Sequence, residues 1–358
     1  MSKYGWIIFF IVLVTNYSIR PHILEDVQLV TAIGYDYVDK DLYQGTAASP
    51  AYFAGDNPKP ETITFTATGH TTKDIKQSLQ RESPAPLVIG RLNTILFNKK
   101  LAEKGLSSLI DSILREPHLG RDVFLVVADG QTKDILNQDY PVADTTTQYI
   151  SDLIAENKEE NIPKTNLHHF VAQYEGTGAD PFLPILKSQG EHIRFTEIAL
   201  FKDDRLVGTL PFKDSFIFKT ILENFQNGTF EFRSSKGTFI AIENLSSKVK
   251  IKVRDGSDQP KATIHVTMQG KVTEASGLSL DRKKTIKSLE EDLKKEAERK
   301  AENMLKKFQK LNVDPVGLGE YARSQNRGFN EKEWQSKYPS IPITYKMDVQ
   351  IIQTGIVE

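Results

Sequence analysis

Residues 285–311, TIKSLEEDLKKEAERKAENMLKKFQKL, limit what this chain can fold into more than any other stretch. Ile286, Leu289, Leu293, Ala297, Ala301, Met304, Leu305, Phe308 and Leu311 recur every three or four positions. That spacing lays one apolar stripe along an α-helix and leaves the other faces to charge. Glu290–Lys294, Glu291–Lys295, Glu296–Lys300 and Glu302–Lys306 each place an acid one turn before a base, the favourable order on a solvated face. At about 1.5 Å per residue the helix is roughly 40 Å long, and something flat has to cover its stripe.

The flanking segments offer that surface. Val249, Ile251 and Val253 alternate with Lys248, Lys250, Lys252 and Arg254; after an Asp255-Gly256 turn, Ala262, Ile264, Val266 and Met268 alternate with Thr263, His265 and Thr267. This predicts an antiparallel hairpin with one buried face. Beyond the helix, Ile343, Tyr345, Met347, Val349 and Ile351 alternate in the same way. The C-terminal part therefore reads as a long helix packed on a small antiparallel sheet.

At 358 residues with 39% hydrophobic content, the chain is long enough for two or three domains with ordinary cores. Its 46 basic and 47 acidic residues nearly cancel, which argues against a dedicated nucleic-acid binder. With no cysteine in the sequence, disulfides, thiolate-ligated zinc, a thiol nucleophile and thioether lipidation are all excluded.

Lys3 precedes an apolar run over residues 4–14, in which Trp6, Ile7, Ile8, Phe9, Phe10, Ile11, Val12, Leu13 and Val14 form a candidate membrane segment. The run is shorter than a full span of about 20 residues and matches the core of an export signal. Thr15-Asn16-Tyr17-Ser18 lacks a small-residue cleavage pattern, which points to a retained anchor.

Residues 24–36 read as β-structure in which Gly34 marks a bulge or a close approach. Residues 39–60, rich in Gly, Pro, Ala and Asp, read as a connection or loose hairpin, and 62–68 as a half-buried strand. A short helix is expected over 72–81, a strand over 87–97 and a helix over 100–114. Residues 122–128, DVFLVVA, form a nearly unbroken apolar strand that needs cover on both faces, which implies an α/β layer. Helical segments follow at 132–136, 144–160 and 166–174; a hairpin over 193–210, a helix over 214–227 and strands at 229–232 and 238–242 come after them. The fold class is thus α+β or mixed α/β, divided as 1–18 signal-like or anchor segment, 19–190 N-terminal domain, 191–245 middle domain and 246–358 C-terminal domain.

Catalytic signatures are missing from the sequence. Gly317-x-Gly319 lacks the third glycine and preceding strand of a dinucleotide site, and Gly176-Thr177-Gly178 lacks the Lys-Ser/Thr of a phosphate loop. His168 and His169 point about 100° apart on a helix, one to the surface and one to the core, so they do not share a metal. Asp203-Asp204 fits a hairpin tip, and the lysines of 248–254 a solvated sheet face. We therefore expect no catalytic residue, no cofactor and no metal.

Several stretches together resemble the C subunits of spore germinant receptors, the GerAC-like family. LEDVQLVTAIGYD at 24–36 is similar to that family's opening segment, LAEKGL at 101–106 with LREP at 114–117 and RDV at 121–123 to its first helix and buried strand, and ALFKDDRLVGTL at 199–210 to its middle-domain hairpin. DPVGLG at 314–319, Trp334, Tyr338-Pro339 and TGIV at 354–357 resemble its C-terminal end. The resemblance implies a three-domain, extracytoplasmic, non-enzymatic subunit at the outer face of the spore inner membrane. Its implied partners are integral-membrane A-type and B-type subunits and the membrane surface, with no nucleic acid, and its implied process is the response to small nutrient germinants. The family is typically lipidated on a cysteine, a position that falls near Tyr17-Ser18 here, where no cysteine stands. A reading from another class is an extracytoplasmic solute-binding protein or hydrolase with an unfamiliar site.

Overall fold

The computed structural model describes residues 27–52, 60–117, 119–120, 122–254, 260–275, 278, 280 and 282–354. In its first half, β1 (Gln28–Leu29), β2 (Ala32–Asp39), β3 (Leu42–Tyr52) and β4 (Pro60–Gly69) precede α1 (Thr72–Glu82) and β5 (Leu87–Val88). Next come β6 (Thr94–Asn98), α2 (Lys99–Lys104), α3 (Ser107–Leu114), β7 (Phe124–Ala128), α4 (Thr132–Asn137), α5 (Thr146–Glu159) and α6 (Leu167–Glu175). Strands β8 (Phe182–Gln189), β9 (His192–Lys202) and β10 (Arg205–Pro211) complete an eight-stranded sheet of order β10-β9-β8-β7-β6-β2-β3-β4.

The middle of this sheet is parallel and both margins are antiparallel. Strand β7 shows why: Leu125 and Val127 enter the core beneath α1, α2, α3 and α6, while Val126 and Ala128 enter the core beneath α4 and α5. An unbroken apolar strand is thereby covered on both faces.

Three local features differ from the expected pattern. The stretch 39–60 contains an eleven-residue strand, β3. Its small residues serve packing, since a Cβ on Gly45 would come within 2.4 Å of the Ile75 side chain on α1. The helix expected over 100–114 is two helices, separated at Gly105, whose φ of +120° suits glycine. The strand expected over 87–97 is two short ones, β5 and β6. Gly34 is a close approach: a Cβ there would sit 2.3 Å from Thr132 Oγ1. That approach lets the buried Asp36 carboxylate accept from Thr132 N–H (2.7 Å), Thr132 Oγ1 (2.8 Å) and Lys133 N–H (3.1 Å), holding the start of α4.

The second half begins with α7 (Ser215–Leu222), β11 (Thr229–Arg233), β12 (Phe239–Arg254) and β13 (Lys261–Glu274). It ends with α8 (Lys283–Leu311), α9 (Leu318–Gln325), α10 (Glu331–Lys337) and β14 (Ile343–Thr354), and its sheet has the order β11-β12-β13-β14. The stripe of α8 is buried as its spacing predicts, with Leu293, Ala297, Ala301 and Phe308 fully inside, in one core with Ile264, Val266, Met268, Tyr345 and Met347. The expected sheet is corrected in one respect: β12 and β13 are antiparallel, but β14 joins β13 in parallel. Alternation reports which face is buried and is silent about strand direction. The intervening helix carries the chain back to the starting edge, as a parallel crossover requires.

The charged faces of α8 also differ from a simple row of pairs. Glu290 accepts from Ile351 N–H (2.8 Å) and Glu298 from Met347 N–H (3.2 Å), so two carboxylates of the helix bind the open side of strand β14. Glu296 holds Arg299, and Lys300 reaches Asp214 at 2.7 Å. Residues 190/191 lie between β8 and β9, and 245/246 lie inside β12, so strand pairing runs through both expected boundaries. No helix among the described residues is long and apolar enough to cross a membrane.

Candidate functional site

The two halves meet where the chain leaves α6 and again where it leaves α8. Asn312 ends α8 in a left-handed conformation that asparagine tolerates, and the chain turns through Asp314 to Gly317, which adopts φ +73° at the start of α9. From the other half, Gly176, Gly178 and Asp180 form the approach to β8. Gly178 has φ +91°, and a Cβ there would lie 2.5 Å from Gly319 C and 2.6 Å from Glu320 N. Reciprocally, a Cβ on Gly319 would meet Gly178 Cα and Trp334 Nε1, each at 2.7 Å. The Gly178 carbonyl accepts from Glu320 N–H at 3.0 Å. The two glycine stretches are explained together, as one close backbone contact.

Beside it, Asp180 N–H donates to the Asp314 carbonyl (2.9 Å) and Asp314 N–H donates to Asp180 Oδ2 (2.6 Å). Lys202 Nζ donates to Asp180 Oδ1 at 3.2 Å, and Asp314 Oδ2 accepts from Gly319 N–H at 2.9 Å. Burial pushes the Asp180 carboxyl up, opposed by the Lys202 charge and the Asp314 N–H. Complete burial pushes Asp314 up to about 7, against the pull of the Gly319 and Leu318 N–H groups and with a further push from Asp180.

Helix α10 supplies the opposite wall. Asn330 caps it by accepting from Glu333 N–H, and its buried Trp334 stands near Tyr338, the ring centroids 6.5 Å apart. Gln309 of α8 donates to the carbonyls of Tyr338 (3.0 Å) and Ile341 (2.7 Å) and fixes this segment on the long helix. A cavity of about 40 Å³ lies between Asp180, Lys202, Asp314, Trp334 and Tyr338. Burial, then the charges of Asp314 and Asp180, raise the Tyr338 phenol well above its ordinary value. A shallower groove of about 580 Å³, bordered by His169, Glu223, Pro315, Glu320 and Tyr321, shares Gln173 and Ala179 with it.

A second set of contacts joins the halves elsewhere. Lys219 on α7 is fully buried and donates to the carbonyls of Lys158 (2.5 Å) and Glu160 (2.9 Å) at the end of α5. Its ammonium lies 4.8 Å from the centroid of the Phe225 ring, and burial lowers its pKa. Asn161 exchanges hydrogen bonds with the backbone of Thr229, both at 3.2 Å.

The candidate membrane segment Trp6–Val14 lies outside the described residues. His168 and His169 are both exposed on α6, so the buried member expected of that pair is corrected; the helix turns its core face through Leu167 and Phe170 instead. Asp203 takes a left-handed hairpin-tip conformation (φ 54°), and Asp204 accepts from Ser107 N–H at the start of α3. The lysines of β12 are exposed, as expected of a solvated face. Among the described residues no cluster of His, Asp and Glu has the arrangement of a metal site. Asp180 carried no sequence signal, and Asp314, Trp334 and Tyr338 were visible only as members of family-like motifs. What the arrangement does chemically is to join two halves through buried polar contacts.

Comparison with known proteins agrees with the layout. The family described as spore germination protein N-terminal domain matches residues 21–188, and that described as spore germination B3/GerAC like, C-terminal, matches residues 196–355. Spore germination protein GerQC of Bacillus cereus is 31% identical over 358 residues, covering 99% of each chain. Spore germination protein KC of Bacillus subtilis (strain 168) is 20% identical, covering 93% of this chain and 91% of its own. A crystal structure of the GerBC protein has the same fold, with a TM-score of 0.62 at 20% identity over 91% of this chain and 99% of that one. With both halves matched in order and a relative aligned from end to end, the chain belongs to the GerAC-like family of spore germination proteins, the germinant-receptor C subunits.

Proposed function

We propose that this protein is the non-enzymatic C subunit of a nutrient germinant receptor complex, held at the outer face of the spore inner membrane beside integral A-type and B-type subunits. The observation that carries this reading is the pair of family matches in tandem, 21–188 and 196–355, which leaves little of the chain to any other activity. The seam between the halves supports it, because three of the four carboxylate oxygens of Asp180 and Asp314 are held by backbone N–H groups and one lysine and none is paired with a nucleophile. In this reading the segment Trp6–Val14 attaches the body to the membrane. Burying such side chains stabilises by about 1.5–3 kcal/mol each, and Lys3 ahead of the run keeps the N-terminus cytoplasmic. The division into a 1–18 signal-like or anchor segment and domains 19–190, 191–245 and 246–358 is part of this proposal, to be tested by limited proteolysis.

The test is crosslinking in intact spores with a C-terminally tagged chain, followed by identification of the captured proteins. Capture of a multi-span subunit together with a permease-like subunit is expected. Capture of neither, with the tagged protein washed from membranes by carbonate, overturns the receptor reading and favours a free solute-binding protein or hydrolase.

A further inference from the structure

Four buried polar atoms of the seam have no hydrogen-bond partner among the described residues: Gln173 Oε1, Asp314 Oδ1, Trp334 Nε1 and Tyr338 Oη. All four residues line the cavity of about 40 Å³, and Asp314, Trp334 and Tyr338 are only 5%, 4% and 2% exposed. A buried polar group without a partner costs about 1–3 kcal/mol, so four in one cavity call for a ligand. The three most buried residues define that ligand's chemistry, and Gln173, which also borders the neighbouring groove, offers a further acceptor. A carboxylate oxygen accepts, an indole N–H donates, and a phenol can do either. Their complement is one O–H donor with two lone pairs.

We propose that this cavity is a binding site for a single hydroxyl group, which donates to Oδ1 of the ionised Asp314 and accepts from Trp334 Nε1–H and Tyr338 Oη–H. A hydroxyl fits where alternatives do not. An ammonium group leaves the indole N–H unanswered, and a carboxylate faces Asp180 and Asp314 and leaves Asp314 Oδ1 unanswered. The size agrees, since about 15 Å³ is enough for one water. Two sources supply the same chemistry: solvent water, or the terminal hydroxyl of a small polyol whose body lies toward the neighbouring groove, with which the cavity shares Gln173 and Ala179. The site is built by both halves of the chain, Asp180 and Lys202 from one and Asp314, Trp334 and Tyr338 from the other, so its occupant bridges them. The inference rests on this geometry and is independent of the receptor reading.

The chain has two tryptophans, Trp6 and Trp334, so the indole N–H of Trp334 is assignable by NMR on the full-length detergent-solubilised protein carrying Trp6→Phe. A cross-peak from the Trp334 indole proton to water that survives addition of glycerol identifies solvent as the source. Replacement of that cross-peak by one to glycerol protons identifies a polyol. Tyr338→Phe, which keeps the ring and removes one partner, is expected to weaken either cross-peak. A protected indole proton with no cross-peak to water or glycerol overturns the proposal, whether or not Tyr338→Phe folds.

Discussion

Asp180 and Asp314, 134 positions apart, bond to each other twice: the backbone N–H of the first donates to the carbonyl of the second, and the backbone N–H of the second donates to the carboxylate of the first. Each residue satisfies the other's buried groups, so the contact between the halves is reciprocal. Asp180→Ala leaves the Asp314 N–H unpaired and deprives Lys202 of its partner, and is expected to cost about 2–4 kcal/mol. Asp180→Asn keeps an acceptor and should cost less than half as much. Denaturant melts of the two variants check this; equal losses would show that the side-chain acceptor for the Asp314 N–H carries no energy.

The pH dependence follows from Asp314. Its carboxyl titrates at about 7 when folded, against an ordinary value near 4 when unfolded. Between those values the folded chain holds the proton and the unfolded chain does not. The stability this group contributes is therefore greatest below pH 4, falls as pH rises towards 7, and then levels off. The full span is on the order of 4 kcal/mol. Asp180, shifted in the same direction, adds to the slope. Asp314→Asn should flatten the difference in melting temperature between pH 5 and pH 8; an unchanged slope would remove Asp314 as its source.

Gly178→Ala puts a methyl group 2.5 Å from the Gly319 backbone at a left-handed φ. Backbone cannot yield as a side chain tip does, and the expected cost is about 3 kcal/mol from strain and overpacking combined. Gly190→Ala, also at positive φ but with no atom near its Cβ, is the control for strain alone. Similar melting temperatures for the two would mean that the halves are free to separate at this point.

Leu293→Asp places an unpaired charge at the centre of the α8 stripe and should prevent stable folding, while Lys295→Asp on the exposed side should shift stability by less than about 0.5 kcal/mol. Thermal unfolding of the full chain separates the two outcomes.

The helix and its sheet were legible because 29 residues of steady period leave one solution, and alternation marked Ile264, Val266, Met268, Tyr345 and Met347 as buried. Direction was not legible, because β14 alternates identically whether it runs with β13 or against it. Strand β3 was hidden by Gly45, Ala47 and Ala48, whose small size answers helices packed on both faces of the sheet and mimics a loop composition. The seam was invisible for a different reason. Gly178 and Gly319 each look like half of a failed motif, and only their contact in space explains them.

Glu290 and Glu298 have a consequence for how this protein meets others. By engaging the Ile351 and Met347 N–H groups they occupy donors through which a foreign β-strand would extend the sheet. A partner approaching along β14 finds two of the donors it would need already taken, which disfavours β-augmentation there. Replacing those two acids would convert a sealed border into an adhesive one, and the first visible effect would be self-association rather than unfolding.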